Sequence, residues 1–158
     1  MSEAARAHIR DTIVAATPAT GIPKSARFLD VDRQRTQTTG RQLLELYGGK
    51  TRLFELADGN LSKLLLGGVD PRAWNERINV RVRYDAPNQH NVSDLMRIMR
   101  GDQIAIVRAL YQSAWSSVAG LAVLNAEPRE LVSRFEDPED GLGGYIAEVE
   151  VFISYDVT

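Results

Sequence analysis

The sequence predicts an α+β domain: a mostly antiparallel sheet with two main helices packed on one of its faces. Three observations carry that prediction. In residues 145–157, Tyr145, Ala147, Val149, Val151, Ile153, Tyr155 and Val157 alternate with Ile146, Glu148, Glu150, Phe152, Ser154 and Asp156. Side chains alternate across a strand, so this stretch reads as a half-buried strand. Residues 77–84 repeat the pattern, with Ile78, Val80, Val82 and Tyr84 set against Arg77, Asn79, Arg81 and Arg83. Finally, Ala5, Ile9 and Ile13, and later Leu95, Met96, Met99, Ile106, Val107 and Leu110, recur at helical spacing.

In chain order, Ser2 caps a first helix and Glu3 sits near its positive end. Arg6, Arg10 and Asp11 lie off its apolar stripe, and Pro18 ends it, with Gly21 and Pro23 in the following loop. A short strand is expected over residues 27–32, around Phe28, Leu29 and Val31. Residues 32–42 are almost entirely polar and read as an exposed loop or hairpin tip, while 43–47 fit helix or strand equally. Leu53, Phe54 and Leu56 mark another strand, which Asp58-Gly59-Asn60 is expected to end before a short apolar piece at 61–66.

The strand at 77–84 breaks at Asp85-Ala86-Pro87-Asn88. A helix follows from Asn91 or Ser93, and Gly101 inside it costs about 1 kcal/mol relative to alanine, so one kinked helix or two collinear ones are expected. Residues 120–124 and 131–135 are strand-like, with Pro128 between them, and the acidic turn at 136–144 leads into the last strand. The chain is thus read as one domain over residues 1–158, with a variable, loop-rich insertion around 32–75.

The polar faces suggest a pairing. Arg81 and Arg83 project from one strand, Glu148 and Glu150 from the other. Opposite charges facing each other on neighbouring strands stabilise by a few tenths to about 1 kcal/mol. The two strands are therefore expected side by side and antiparallel, with the charges laddered on one face; two unrelated solvated faces are the alternative, since surface ion pairs contribute little.

Composition bounds the function. Charged residues make up 25% and the net charge is −2, so no global field draws the chain to nucleic acid or to an anionic membrane. Cysteine is absent, which excludes disulfides and thiolate metal sites and fits a reducing compartment. The first residues lack the basic start and apolar block of a signal peptide, and no apolar run approaches the roughly 20 residues that span a bilayer. A soluble product, not exported by the usual route, is expected.

No catalytic centre emerges. His8 and His90 belong to no recognisable motif and are not spaced to begin a zinc site. The acidic cluster Glu136, Asp137, Glu139 and Asp140 departs from a calcium loop, because Pro138 and Gly141 occupy ligand positions. A solvated acidic loop is the expected reading, with cation binding as the alternative. Gly141, Gly143 and Gly144 lack the Lys-Ser/Thr and following helix of a phosphate cradle, so they read as turn formers. Arg100-Gly101-Asp102 spells an adhesion tripeptide within a helical pattern and is read as chance. No aromatics interleave the arginines between Arg27 and Arg41 to stack bases. Trp74 and Trp115 read as core or interface residues.

The second half carries a resemblance. Arg81-Val82-Arg83-Tyr84 entering a break at Pro87, then Ser93-Asp94-Leu95 opening a helix, is similar to the tail-terminator (minor tail protein U type) family of long-tailed bacteriophages. The similarity continues through Asp137, Glu139 and Asp140, the Gly141-Leu142 pair and the closing Ile153-Ser154-Tyr155-Asp156, covering roughly residues 76–158. The segment from Gly40 to Asp70 is longer than the simplest members need, which leaves related neck, head-completion or tail-tube subunits open. A small ligand-binding or hydrolytic α+β domain is the remaining alternative.

The resemblance implies a virion protein, assembled in the host cytoplasm into a homo-oligomeric ring, usually hexameric. Such a ring caps the head-proximal end of the tail tube, stops tube growth and meets head-completion or neck proteins. DNA passes through it unread, and neither cofactor nor catalytic residue is required. Arg81, Arg83, Glu148 and Glu150 are the candidates for a charged subunit boundary or channel wall. Asp137, Glu139 and Asp140 are the candidates for a loop that meets a neighbour.

Overall fold

The computed structural model describes residues 3–19, 27–30, 52–64, 73–84, 92–118, 121–130, 134–136 and 144–157. These hold α1 (Glu3–Ala15), β1 (Phe28–Asp30), β2 (Arg52–Leu64), β3 (Ala73–Tyr84), α2 (Val92–Gln112), β4 (Leu121–Glu130), β5 (Arg134–Glu136) and β6 (Gly144–Val157). A short 3-10 turn, Trp115–Ser117, follows α2. The six-stranded sheet has the order β1-β2-β3-β6-β4, with β5 also paired to β6. Every pairing is antiparallel except β1 with β2.

The two strands singled out by their alternation form the middle of the sheet. β3 and β6 pair antiparallel without interruption, from Ala73 opposite Asp156 to Tyr84 opposite Tyr145. The apolar parity of both strands faces the helices. Ile78, Val80, Val82 and Tyr84 meet Ala147, Val149, Val151, Ile153 and Tyr155 in one core with Ala5, Ile9 and Ile13 of α1 and Leu95, Met99, Ile106 and Leu110 of α2. Phe28, Phe54 and Leu56 extend that core under the helices.

Several expectations need correction. Asp58-Gly59-Asn60 does not end β2. Asp58 faces Ile78 and Leu61 faces Glu76, so Gly59 and Asn60 stand against Arg77 alone, a bulge inside a continuing strand. Pro128 lies within β4, opposite Val151. It is tolerated because, among the described strands, β4 has a neighbour on one side only, leaving a place where no N–H is needed. β4 and β5 run in succession along the same edge of β6, and Glu136 and Gly144 are partners at the close of that hairpin. The polar stretch at 32–42, the ambiguous 43–47, Asp85–Asn88 and the acidic residues Asp137, Glu139 and Asp140 lie outside the described residues.

α2 is one helix over Val92–Gln112, neither split nor divided at Gly101. The glycine answers to packing: a Cβ there would lie 2.8 Å from the Cβ of Ala19, in the segment that follows α1. That close approach serves the neighbouring residue. Asp102 is fully buried and accepts hydrogen bonds from the Ala19 N–H at 2.7 Å, the Arg52 Nε at 2.6 Å and the Tyr84 hydroxyl at 2.6 Å. Arg52 also donates from Nη2 to the Ala19 carbonyl at 2.6 Å. One carboxylate therefore joins β2, β3, α2 and the exit of α1. Burial, then the adjacent Asp102 charge, pushes the Tyr84 phenol well above its ordinary value, so it stays protonated and keeps donating.

Asp102→Ala leaves a buried guanidinium without its counter-charge, which typically costs about 3–5 kcal/mol. Urea unfolding should show a loss of that size, against a smaller one for Asp102→Asn; a loss under about 1 kcal/mol would refute the central role given to this cluster.

Candidate functional site

Two regions bring chemically capable side chains together: the sheet face turned away from the helices, and the helical layer itself. On the sheet face the expected charge ladder is present. Arg81 stands opposite Glu148 in the β3–β6 register, and its Nε donates to the carboxylate at 2.8 Å. The other two members are partnered differently from the two-strand ladder. Arg83 reaches across to Glu55 on β2 at 2.7 Å, and Glu150 pairs with Arg129 on β4 at 2.7 Å. The ladder thus spans four strands, because the β3–β6 register sets Arg83 opposite Ile146 and Glu150 opposite Asn79, so each of these charges bonds across to the strand on its other side.

This face is also drier than a half-buried strand suggests. Arg83 and Glu148 are buried, as are Leu53 and Ile146 of the same parity. Lower down, the Arg77 guanidinium lies 5.7 Å from the centre of the Phe152 ring, and Ser154 donates to Asn75 at 2.7 Å. Of the four charged candidates, Arg81 has the most accessible side chain, at 34%.

On the helical side, α1 is held by charge as well as by its apolar stripe. Arg6 is buried with its guanidinium 3.9 Å from Glu76 on β3, and Arg10 lies 3.4 Å from Asp30 on β1. The Tyr155 hydroxyl donates to the same Glu76 at 3.1 Å, and burial followed by the Glu76 charge pushes its pKa up to about 12. Arginines lying off the apolar stripe therefore face sheet carboxylates rather than water.

His8 joins α1 to the end of α2. Its Nε2 is 3.0 Å from the Ser113 Oγ, whose own proton goes to the Leu110 carbonyl at 2.7 Å. The Ser113 hydroxyl is thus the acceptor and His8 Nε2 the donor. The His8 and Trp115 rings lie 4.5 Å apart, and Trp115 Nε1 donates to the same Leu110 carbonyl at 3.0 Å. His8 is therefore a joining residue rather than a surface one.

Among the described residues, no group of three or more His, Asp or Glu side chains is placed to hold a metal ion. No helix there is long and apolar enough to cross a membrane. Two shallow grooves lie on the helices. One is lined by Ile104, Val107, Arg108, Tyr111 and Gln112, the other by Asp11, Val14, Ala15, Ala16, Thr17 and Arg27. Met96, which the helical pattern placed on the core face, is 38% exposed, and Ile98 is buried in its place.

By its elements the chain is an α+β protein with a mostly antiparallel sheet and two helices packed against it. No family model matches it, and no curated protein sequence matches it significantly.

Burial lowers the His8 pKa below 6.5, and the nearby Asp11 charge only partly offsets this. The neutral ring is thus favoured by folding, so the contribution of His8 to stability is complete above pH 6.5 and declines as pH falls through its lowered folded value. Thermal melts between pH 7.5 and 5.5 should show a shallower pH dependence for His8→Gln than for the native chain. Equal slopes would refute the assignment. On the sheet face, a double-mutant cycle on Arg81 and Glu148 should give a coupling of about 1 kcal/mol or less, because solvent reaches the half-exposed arginine and screens the pair.

Proposed function

We propose that this chain is a structural assembly protein of a long-tailed bacteriophage, a tail terminator that forms a ring, hexameric by analogy with the family it resembles. On this reading the ring caps the head-proximal end of the tail tube, halts addition of tube subunits and presents a surface to head-completion or neck proteins. DNA passes through its channel without being read, and no residue is assigned a catalytic or cofactor-binding role. The chain would work in the virion after assembly in the host cytoplasm.

The observation that carries the reading is the pattern over residues 76–158. Its two quoted strands are the uninterrupted β3–β6 pair at the centre of the sheet, and its quoted helix start opens α2. A ring part must keep its shape under load, and a sheet whose central charges are bonded across four strands supplies that rigidity. A closed ring also needs two different patches that fit each other. Arg81 is the accessible member of the charged candidates, and Asp137, Glu139 and Asp140 follow the β5 edge in sequence.

Light scattering and negative-stain microscopy of the purified chain should show closed rings that bind the ends of tail tubes. Long filaments would point instead to a tail-tube subunit. A monomer at every concentration, with no affinity for tubes, would sink the proposal. Arg81→Gln, which keeps a hydrogen-bond donor beside the buried Glu148 and adds no like charge opposite it or Glu55, should weaken ring closure while lowering the melting temperature by only several degrees.

A further inference from the structure

The outer surfaces of the two helices are unlike each other in a matched way. α1 turns Glu3, Ala7, Asp11 and Ala15 outward, a small and acidic line. α2 turns outward Arg97, Arg100, Ile104, Arg108 and Tyr111, a line that is large and basic. Ile104 is 43% exposed and Tyr111 75%, high values for apolar side chains on a helix that otherwise seals a core. The two grooves fall on these lines, one on each helix.

Their relative placement makes the match self-complementary. His8 lies beside Ser113, and Ala19 beside Asp102, so the two helices run antiparallel. Both cover the same face of the sheet, so both outer surfaces point the same way. A two-fold axis parallel to the helices would lay α1 of one copy over α2 of the other, antiparallel, and repeat the contact on the far side of the axis. With no shift along that axis, the contacts between the helices set the levels. His8 level with Ser113 and Ala19 level with Asp102 bring Asp11 near Arg108 and Tyr111, and Ala15 near Ile104 and Val107. The groove floored by Ala15, Ala16 and Thr17 then receives the large side chains that line the other groove.

We infer that the helical layer is a docking face for a second copy of this chain, joined through a two-fold contact in which each α1 groove takes the exposed Ile104–Tyr111 face of its partner. Asp11 against Arg108 supplies charge complementarity twice per dimer. Arg27 also lines the α1 groove. This contact is separate from the ring proposed above, since it uses the helical layer and a two-fold operation.

The test is a charge exchange read by sedimentation equilibrium. Asp11→Arg alone and Arg108→Asp alone should each raise the dissociation constant by about tenfold or more, because like charges then meet across the contact. The double variant, and equally a mixture of the two singles, should regain association, a rescue that a merely destabilised helix would not give. Tyr111→Glu, at a side chain 75% exposed, should abolish association without changing the melt, and it serves as the second probe should Asp11→Arg unfold. A native chain that stays monomeric, or single variants that associate like the native chain, would overturn the inference. Because the two contacts are separate, rings that persist in these variants while the two-fold association is lost are the expected result.

Discussion

The structure depends on one buried ion pair. Arg52 and Asp102 meet at 2.6 Å with both side chains almost wholly out of water. Desolvating two charges is expensive, and attraction between them offsets that cost only when the remaining lone pairs and protons are also bonded. Here they are: Asp102 accepts from Ala19 and Tyr84 as well, and Arg52 also donates to the Ala19 carbonyl. An apolar cluster in the same place would tolerate sliding. This one does not, because a shift of about an ångström would strand a buried charge. Gly101 follows from it, since no side chain fits between α2 and Ala19 at that spacing.

The remaining buried charges repeat the device at smaller stakes. Arg6 with Glu76 and Arg10 with Asp30 dock α1 onto β3 and β1, while the ladder of Glu55–Arg83, Arg81–Glu148 and Glu150–Arg129 stitches the other face. The polar side of the sheet is thus occupied by its own cross-strand bonds. What it offers a partner is shape and rigidity, with Arg77, Glu127 and Arg129 as its exposed charges and Arg81 half-exposed among them.

Period-two alternation made β3 and β6 legible, and the complementary charges between them gave their pairing and direction, because cross-strand neighbours are the unit of sheet stability. The buried cluster was legible by parity but easily passed over. Asp102 lies three residues beyond Met99 and four before Ile106, on the core stripe of α2. Arg52 shares the parity of Phe54 and Leu56, and Glu76 that of Ile78 and Val80. A charge standing in line with core residues demands a buried partner, and that signal was stronger than the tripeptide spelling at Arg100-Gly101-Asp102. Local composition misled at Asp58-Gly59-Asn60 and Pro128. Turn-forming residues report a break in regular pairing, and only the neighbouring strands decide whether the break ends a strand or bulges it. Arg83 and Glu150 took partners on β2 and β4 because the sequence order of strands does not reveal which two flank a third.

Anchoring on the inside also decides what the outside presents. Each residue of a helix turns about 100° from the last, so fixing one side chain fixes the direction of all the others. With Asp102 locked toward Arg52 and Tyr84, positions 97, 100, 104, 107 and 111 fall within about 40° of the opposite direction. Arg97, Arg100, Ile104 and Tyr111 are exposed for that reason, and Val107 sits half-buried among them. On α1, Ile9 and Ile13 under the core, with Arg6 and Arg10 on Glu76 and Asp30, turn Glu3, Ala7, Asp11 and Ala15 outward by the same rule. Two helices free to rotate would present blurred surfaces to any partner. Two helices pinned by buried charge present fixed ones, and a self-complementary contact requires fixed surfaces on both copies at once.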